Sequence, residues 1–284
     1  MNNFTLGSYM PYDSLIHRLD PRAKIMGMIF FMVAIFIPAG YFPYIILGVV
    51  ALVLLLIAHL KLRSVWKSMK PMLLMMVFLL VINLLVVRTG YVVVKLGDFA
   101  IYSDALAQTF YIAVRLVLMI MITTTLTATT KPLDLTLGIE DLLTPFKVLH
   151  VPAHEIAMMI SIALRFIPTL IEETQRIMKA QASRGVDMEE GKLKEKIMAV
   201  LSLIVPLFVS AFQRAEDLAN AMEARGYIPE RKRTRYKQLK MAGRDWIMLG
   251  CSFLLMAVPI LIAMGYLDPL RIGSLFLEGV GYAL

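Results

Sequence analysis

Two arginines, each followed by glycine, are the residues best placed to do chemistry. "KAQASRG" (179–185) and "NAMEARG" (220–226) both close long, mostly apolar runs. A guanidinium offers a rigid fork of N–H donors that pairs with carboxylates, often bidentately. Glycine fits the left-handed position after a helix, so Gly185 and Gly226 read as helix caps, with Arg184 and Arg225 held at the ends and small residues, Ser183 and Ala224, beside them. Upstream, Pro168…Gln175-Arg176 recurs as Pro206…Gln213-Arg214, 38 residues on, while the Arg-Gly pairs lie 41 apart. The extra three residues are close to one helical turn. Capped helix ends alone would explain one copy. The duplication favours two matched docking tips, each able to reach an acidic groove on a partner. Pro168 and Pro206 are the candidate kinks of the two helices.

Catalytic signatures are missing. "GVDMEEGK" (185–192) brushes a phosphate-binding loop, but five residues separate its glycines and Leu193 stands where Ser or Thr is required. Any ATP hydrolysis therefore belongs to a partner. His150 and His154 flank Pro152, which suits a loop and a helix start rather than a metal site. The single cysteine, Cys251, excludes an internal disulfide. No cofactor is expected.

The surrounding elements are membrane helices. Of 284 residues 59% are hydrophobic, and uncharged windows recur at 25–39, 41–58, 71–87, 116–130 and 246–267. A span needs roughly 17–25 apolar residues, so the fold class is an all-α polytopic membrane protein with about five transmembrane helices plus long cytoplasmic-side coupling helices. Arg18, Arg22 and Lys24 precede the first window, and Lys61, Arg63, Lys67 and Lys70 follow the second. The positive-inside rule then places the N-terminus in the cytoplasm of a cell-membrane protein. Residues 91–102 read as an external β-hairpin around Gly97-Asp98. Arg115, in the fourth span just before its uncharged window, reads as a snorkelling or hydrogen-bonded cation or as a contact to a partner subunit.

Three regions result: 1–130, with the leader and four spans; 131–244, with the two Arg-Gly units; and 245–284, with the last span and an external tail. The middle region holds 18 of the 29 Lys and Arg and 14 of the 21 Asp and Glu. Its apolar runs, 156–171 and 197–212, either cross the membrane or lie along it. Arg165 within the first run costs about 2.5–3.5 kcal/mol at a bilayer centre, which favours the surface. So does the run's amphipathic pattern, whose polar side carries Glu172 and Arg176 as an i,i+4 pair. "RKRTRYK" (231–237), next to a membrane window, suits anionic lipid rather than nucleic acid.

The leader "GSYMPYDSLIHRLDPRAK" (7–24) and the paired Arg-Gly motifs resemble the transmembrane T components of energy-coupling factor (ECF) transporters, the EcfT family, in its shared-module type. The matching leader positions are Gly7, Tyr9, Asp13-Ser14, His17 to Arg22, and Lys24; Ser183 departs from the family's usual alanine. The resemblance implies a non-enzymatic subunit that joins two ABC-type ATPase subunits to a small membrane substrate-binding S component for vitamin or transition-metal uptake. It implies that Ser183-Arg184-Gly185 and Ala224-Arg225-Gly226 dock into the two ATPases. A rival reading is a secondary transporter built on an inverted repeat, with its own substrate site between the two units.

Overall fold

The computed structural model describes residues 9–60, 62–96, 99–145, 152–185, 193–228 and 238–264. Among these, eight helices and one hairpin follow in order: α1 (Pro21–Phe36), α2 (Tyr41–Ile57), α3 (Leu62–Val86), β1 (Val92–Leu96), β2 (Phe99–Tyr102), α4 (Ser103–Thr129), α5 (Pro132–Leu143), α6 (Ala153–Ser183), α7 (Leu193–Ala224) and α8 (Gly243–Ala263). The chain forms two compact units, one of Gly7–Ile139 with Leu239–Leu284, the other of Met1–Leu6 with Glu140–Gln238.

In the first unit, α1 starts where Pro21 supplies a preset φ and Asp20 accepts from the Arg22 N–H at 2.9 Å. Its buried residues Ala23, Gly27, Phe31, Ala34 and Ile35 form one stripe. Gly27 lets α8 come close: a Cβ there would stand 2.9 Å from Met248 Cε and 3.1 Å from Ser252 Oγ. Tyr44, Leu47, Ala51 and Leu55 of α2 meet Leu118, Met121 and Ile122 of α4 in the core. Along α3, which packs on α4, Asn83 Nδ2 donates to Thr109 Oγ1 at 3.0 Å. The predicted hairpin is present, antiparallel, with Val92 opposite Tyr102 and Lys95 opposite Ala100. Gly97 and Asp98 lie outside the described residues, as do 231–237 and the tail.

Among the described residues five helices are long and apolar enough to cross a membrane: 68–86 of α3, α4, 154–183 of α6, 194–224 of α7, and α8. They are not the same five as the predicted windows. The first two windows became α1 and α2, of only 16 and 17 residues. α1 stops at Phe36, before Pro38 and the left-handed Gly40 (φ 78°). The fourth window instead extends backwards to Ser103, directly after β2.

The second unit is dominated by α6 and α7, of 31 and 32 residues. At 1.5 Å per residue each is roughly 46–48 Å long. Both remain helical through Pro168 and Pro206. Phe166 lies near Arg214, Glu173 near Ser210 and Arg214, and Gln181 near Ser202. As numbers rise along α6 they fall along α7, so the helices pack antiparallel. The expected Glu172–Arg176 pair is not formed: both side chains are exposed and no hydrogen bond or ion pair joins them. The acidic residue that pairs is the neighbouring Glu173, which faces α7.

Candidate docking site

Both Arg-Gly motifs end their helices in the same way. Ser183 and Ala224 are the last helical residues, Arg184 and Arg225 are the caps, and Gly185 and Gly226 adopt φ of 82° and 68°. At the α6 end the Gly185 N–H donates to the Ala182 carbonyl at 3.0 Å. At the α7 end Gly226 N donates to Glu223 O at 2.8 Å and Tyr227 N to Met222 O at 2.9 Å, the two bonds of a Schellman cap. The last carbonyls are thus satisfied by backbone, which leaves the guanidinium groups free of capping duty. Arg184 and Arg225 are exposed, and neither meets an acidic partner among the described residues. Ser183 turns its hydroxyl back to the Lys179 carbonyl (2.9 Å), so at this position it behaves as a small, self-satisfied residue.

Sequence reasoning missed what sets these ends apart in space. Glu173 Oε2 pairs with Arg214 Nη2 at 2.7 Å, and its Oε1 accepts from Ser210 Oγ at 2.5 Å. Phe166 lies 6.0 Å below the Arg214 guanidinium. The two helix ends point in opposite directions from this crossing. A half-buried acid on α6, 41 residues before an arginine of α7, was the available signal.

The leader does structural work. Lys24, 4% exposed, donates to the Thr129 carbonyl (3.0 Å), Thr130 Oγ1 (3.3 Å) and the His17 carbonyl (3.4 Å), so it caps the end of α4. Asp245, 2% exposed, accepts from the Asp20 N–H at 2.9 Å and the Ala242 N–H at 2.7 Å, which ties the starts of α1 and α8 together. Arg22 bridges Asp20 and the Leu239 carbonyl (2.9 Å). His17 Nε2 faces the Met10 carbonyl at 3.0 Å, and Nδ1 faces Ser14 Oγ at 2.7 Å. A carbonyl can only accept, so Nε2 carries the proton and neutral Nδ1 takes the hydroxyl's. Burial holds the His17 imidazole below its ordinary pKa, and the Lys24 charge acts the same way. Asp13 and Arg18 make an exposed bidentate pair at 2.9 and 2.7 Å.

In the second unit, His154, in the first turn of α6, pairs through Nδ1 with Glu140 Oε1 at 2.8 Å. His150 lies outside the described residues. Among the described residues no cluster of His, Cys, Asp or Glu is arranged to hold a metal ion.

The fold and its exposed polar ends define a class: a predominantly helical, multi-pass membrane protein that presents two arginine-tipped helices. Comparison with known proteins gives the family. Residues 13–236 match the family described as cobalt transport protein. The chain is 42% identical to the energy-coupling factor transporter transmembrane protein EcfT of Bacillus subtilis (strain 168), over 91% of this chain and 97% of that one. It is 43% identical to the same-named protein of Macrococcus caseolyticus, over 94% and 99%, and 42% identical to that of Clostridium kluyveri, over 92% and 97%. The chain belongs to this family of energy-coupling factor transporter transmembrane proteins.

Proposed function

We propose that this chain is the non-enzymatic coupling subunit of an ATP-driven importer. Arg184 and Arg225, each with its small neighbour and glycine, dock on two ABC-type ATPases. α6 and α7 carry nucleotide-driven motion to a small substrate-binding membrane subunit, which takes up a vitamin or a transition-metal ion. On this reading the substrate pocket belongs to that subunit. The N-terminus is cytoplasmic, residues 131–244 form the coupling domain, and 1–130 with 245–284 form the membrane domain. The basic run 231–237 meets anionic lipid at the membrane surface.

The observation that carries this reading is the matched pair of tips. Two exposed guanidiniums sit at helix ends of the same construction, equally far in sequence from one ion-paired crossing. That arrangement suits two similar acidic partners moving against each other. Replacing either arginine by alanine is expected to weaken ATPase association, and the double variant to weaken it most. Loss of a desolvated charge-assisted contact costs roughly 2–5 kcal/mol. Normal ATPase co-purification and transport in the double variant would refute the proposal. Because α6 and α7 are antiparallel, full crossing by both would put the tips on opposite sides of the membrane. Membrane-impermeant labelling of cysteines placed at 183 and 224 therefore separates this reading from a secondary transporter.

A further inference from the structure

The charge that the docking reading leaves unused is Arg115, near the middle of α4. Between Asp104 and Lys131 it is the only charged residue in the sequence. Among the described residues no carboxylate pairs with it. Its Nε and Nη2 donate to Tyr44 Oη at 3.2 and 3.1 Å. Tyr44 in turn donates its hydroxyl proton to the Ile35 carbonyl at 2.6 Å, so the phenol oxygen is fully used. The rings of Tyr111 and Phe36 lie 5.1 and 5.6 Å from the guanidinium carbon. One edge of the fork is thereby fixed and the ring contacts hold its plane. The Tyr111 hydroxyl takes a further bond from the guanidinium, which leaves two of its five N–H donors.

Depth decides what they meet. Phe36 ends α1 and Tyr44 lies in the first turn of α2, so Arg115 sits beside the turn 37–40. The backbone of that turn cannot lie bare in hydrocarbon. α1 and α2, at 16 and 17 residues, are roughly 24–26 Å long, short of a hydrocarbon core of about 30 Å. A short helix pair draws the headgroups inward around it. Headgroup phosphates drawn inward in this way would reach the level of Arg115, where aromatic side chains with polar tips are at home.

We propose that Arg115, held by Tyr44 and Tyr111, binds the phosphate of a membrane phospholipid in the leaflet that meets the α1–α2 turn. The phosphodiester supplies the missing negative charge, and two of its oxygens take parallel N–H bonds from the Nη1 and Nη2 edge. The lipid is thereby fixed against α1, α2 and α4. This site is independent of the docking reading.

Native mass spectrometry of the full chain in detergent tests it, with added phosphatidylglycerol or with a phosphate-free galactolipid as the probe. The wild type is expected to retain one more phosphatidylglycerol than Arg115→Gln, with apparent affinity lower by about tenfold in the variant. No such difference is expected for the galactolipid. Equal phosphatidylglycerol retention by the two proteins overturns the proposal, and so does an equal Arg115 dependence for the galactolipid. If Arg115→Gln is not monodisperse, Arg115→Lys carries the test. It keeps a cation but loses the planar fork, so retention should fall several-fold; unchanged retention overturns the bidentate site. Loss of a co-purifying membrane protein from the variant, with lipid retention unchanged, also overturns it and points to a protein carboxylate as the anion.

Discussion

Glu173 and Arg214 meet at 2.7 Å, and each stands eleven residues before the arginine at the end of its own helix, Arg184 or Arg225. The pair and the tips therefore share one offset, 41 residues. Each tip lies roughly 16–17 Å along its helix from the crossing. Arg214 is held there by an acid and a ring, and the acid is itself fixed by the Ser210 hydroxyl, whereas its repeat counterpart Arg176 is exposed. Glu173 and Arg214 are expected to be coupled by about 1–2 kcal/mol, since they touch and are partly desolvated. A double-mutant cycle with Glu173→Gln and Arg214→Gln, read by unfolding of the full chain in detergent, checks this. The two single variants should cost nearly as much as the double. Additive costs would show that the crossing is held by apolar packing instead.

The glycines at the tips separate the aim of each arginine from its charge. A Cβ on Gly185 or Gly226 meets nothing within 4 Å, so any cost of substitution is conformational. At φ of 82° and 68° an alanine costs roughly 1–2 kcal/mol. Gly185→Ala and Gly226→Ala should weaken ATPase retention although both guanidiniums remain. Gly250→Ala is the control. Gly250 lies inside α8 with open space around it and no positive φ, and alanine there should be neutral or stabilising by up to about 1 kcal/mol.

The tips were legible in the sequence because a cap is a local event. Small residue, arginine and glycine fix the last turn without help from the rest of the fold. The crossing was not legible. The polar face of α6 offers Glu172 and Glu173 in succession, and only the placement of α7 decides between them. The Pro-x6-Gln-Arg repeat suggested equivalence, but Ala211 occupies the repeat position of Glu173, so the two units cannot pair symmetrically. Span boundaries moved for a related reason. Hydropathy marks apolar residues, whereas Asp20, Pro21, Pro38 and Gly40 set where α1 and α2 start and stop. Lys24 read as an inside charge, and its burial as a cap for α4 depends on an element more than a hundred residues away.

That burial makes the leader a stability determinant. Lys24→Met removes three donated hydrogen bonds and leaves the Thr129 carbonyl and Thr130 hydroxyl short of a partner. Asp245→Ala orphans the Asp20 and Ala242 N–H groups. Each buried group left unsatisfied costs about 1–3 kcal/mol. Both variants should melt well below the wild type in detergent. Asp245→Asn, which keeps one acceptor oxygen, should recover part of the Asp245→Ala loss. A wild-type melting temperature in Asp245→Ala would mean that the starts of α1 and α8 are held by packing alone.

His17 gives this region a pH dependence of definite sign. Its imidazole is held below the ordinary value by burial, so the folded protein favours the neutral ring bonded to Met10 and Ser14. A depressed pKa contributes stability that is fully present above the unfolded value, about 6.5, and is lost as pH falls through the lower folded value. Thermal stability should therefore drop on acidification from pH 7.5 towards pH 5. His17→Gln should be less stable at pH 7.5 and should show a shallower fall over the same range, because glutamine does not titrate. Melting curves of the two proteins at matched ionic strength decide the matter. Parallel curves would assign the acid sensitivity to other groups and would leave His17 only its hydrogen bonds.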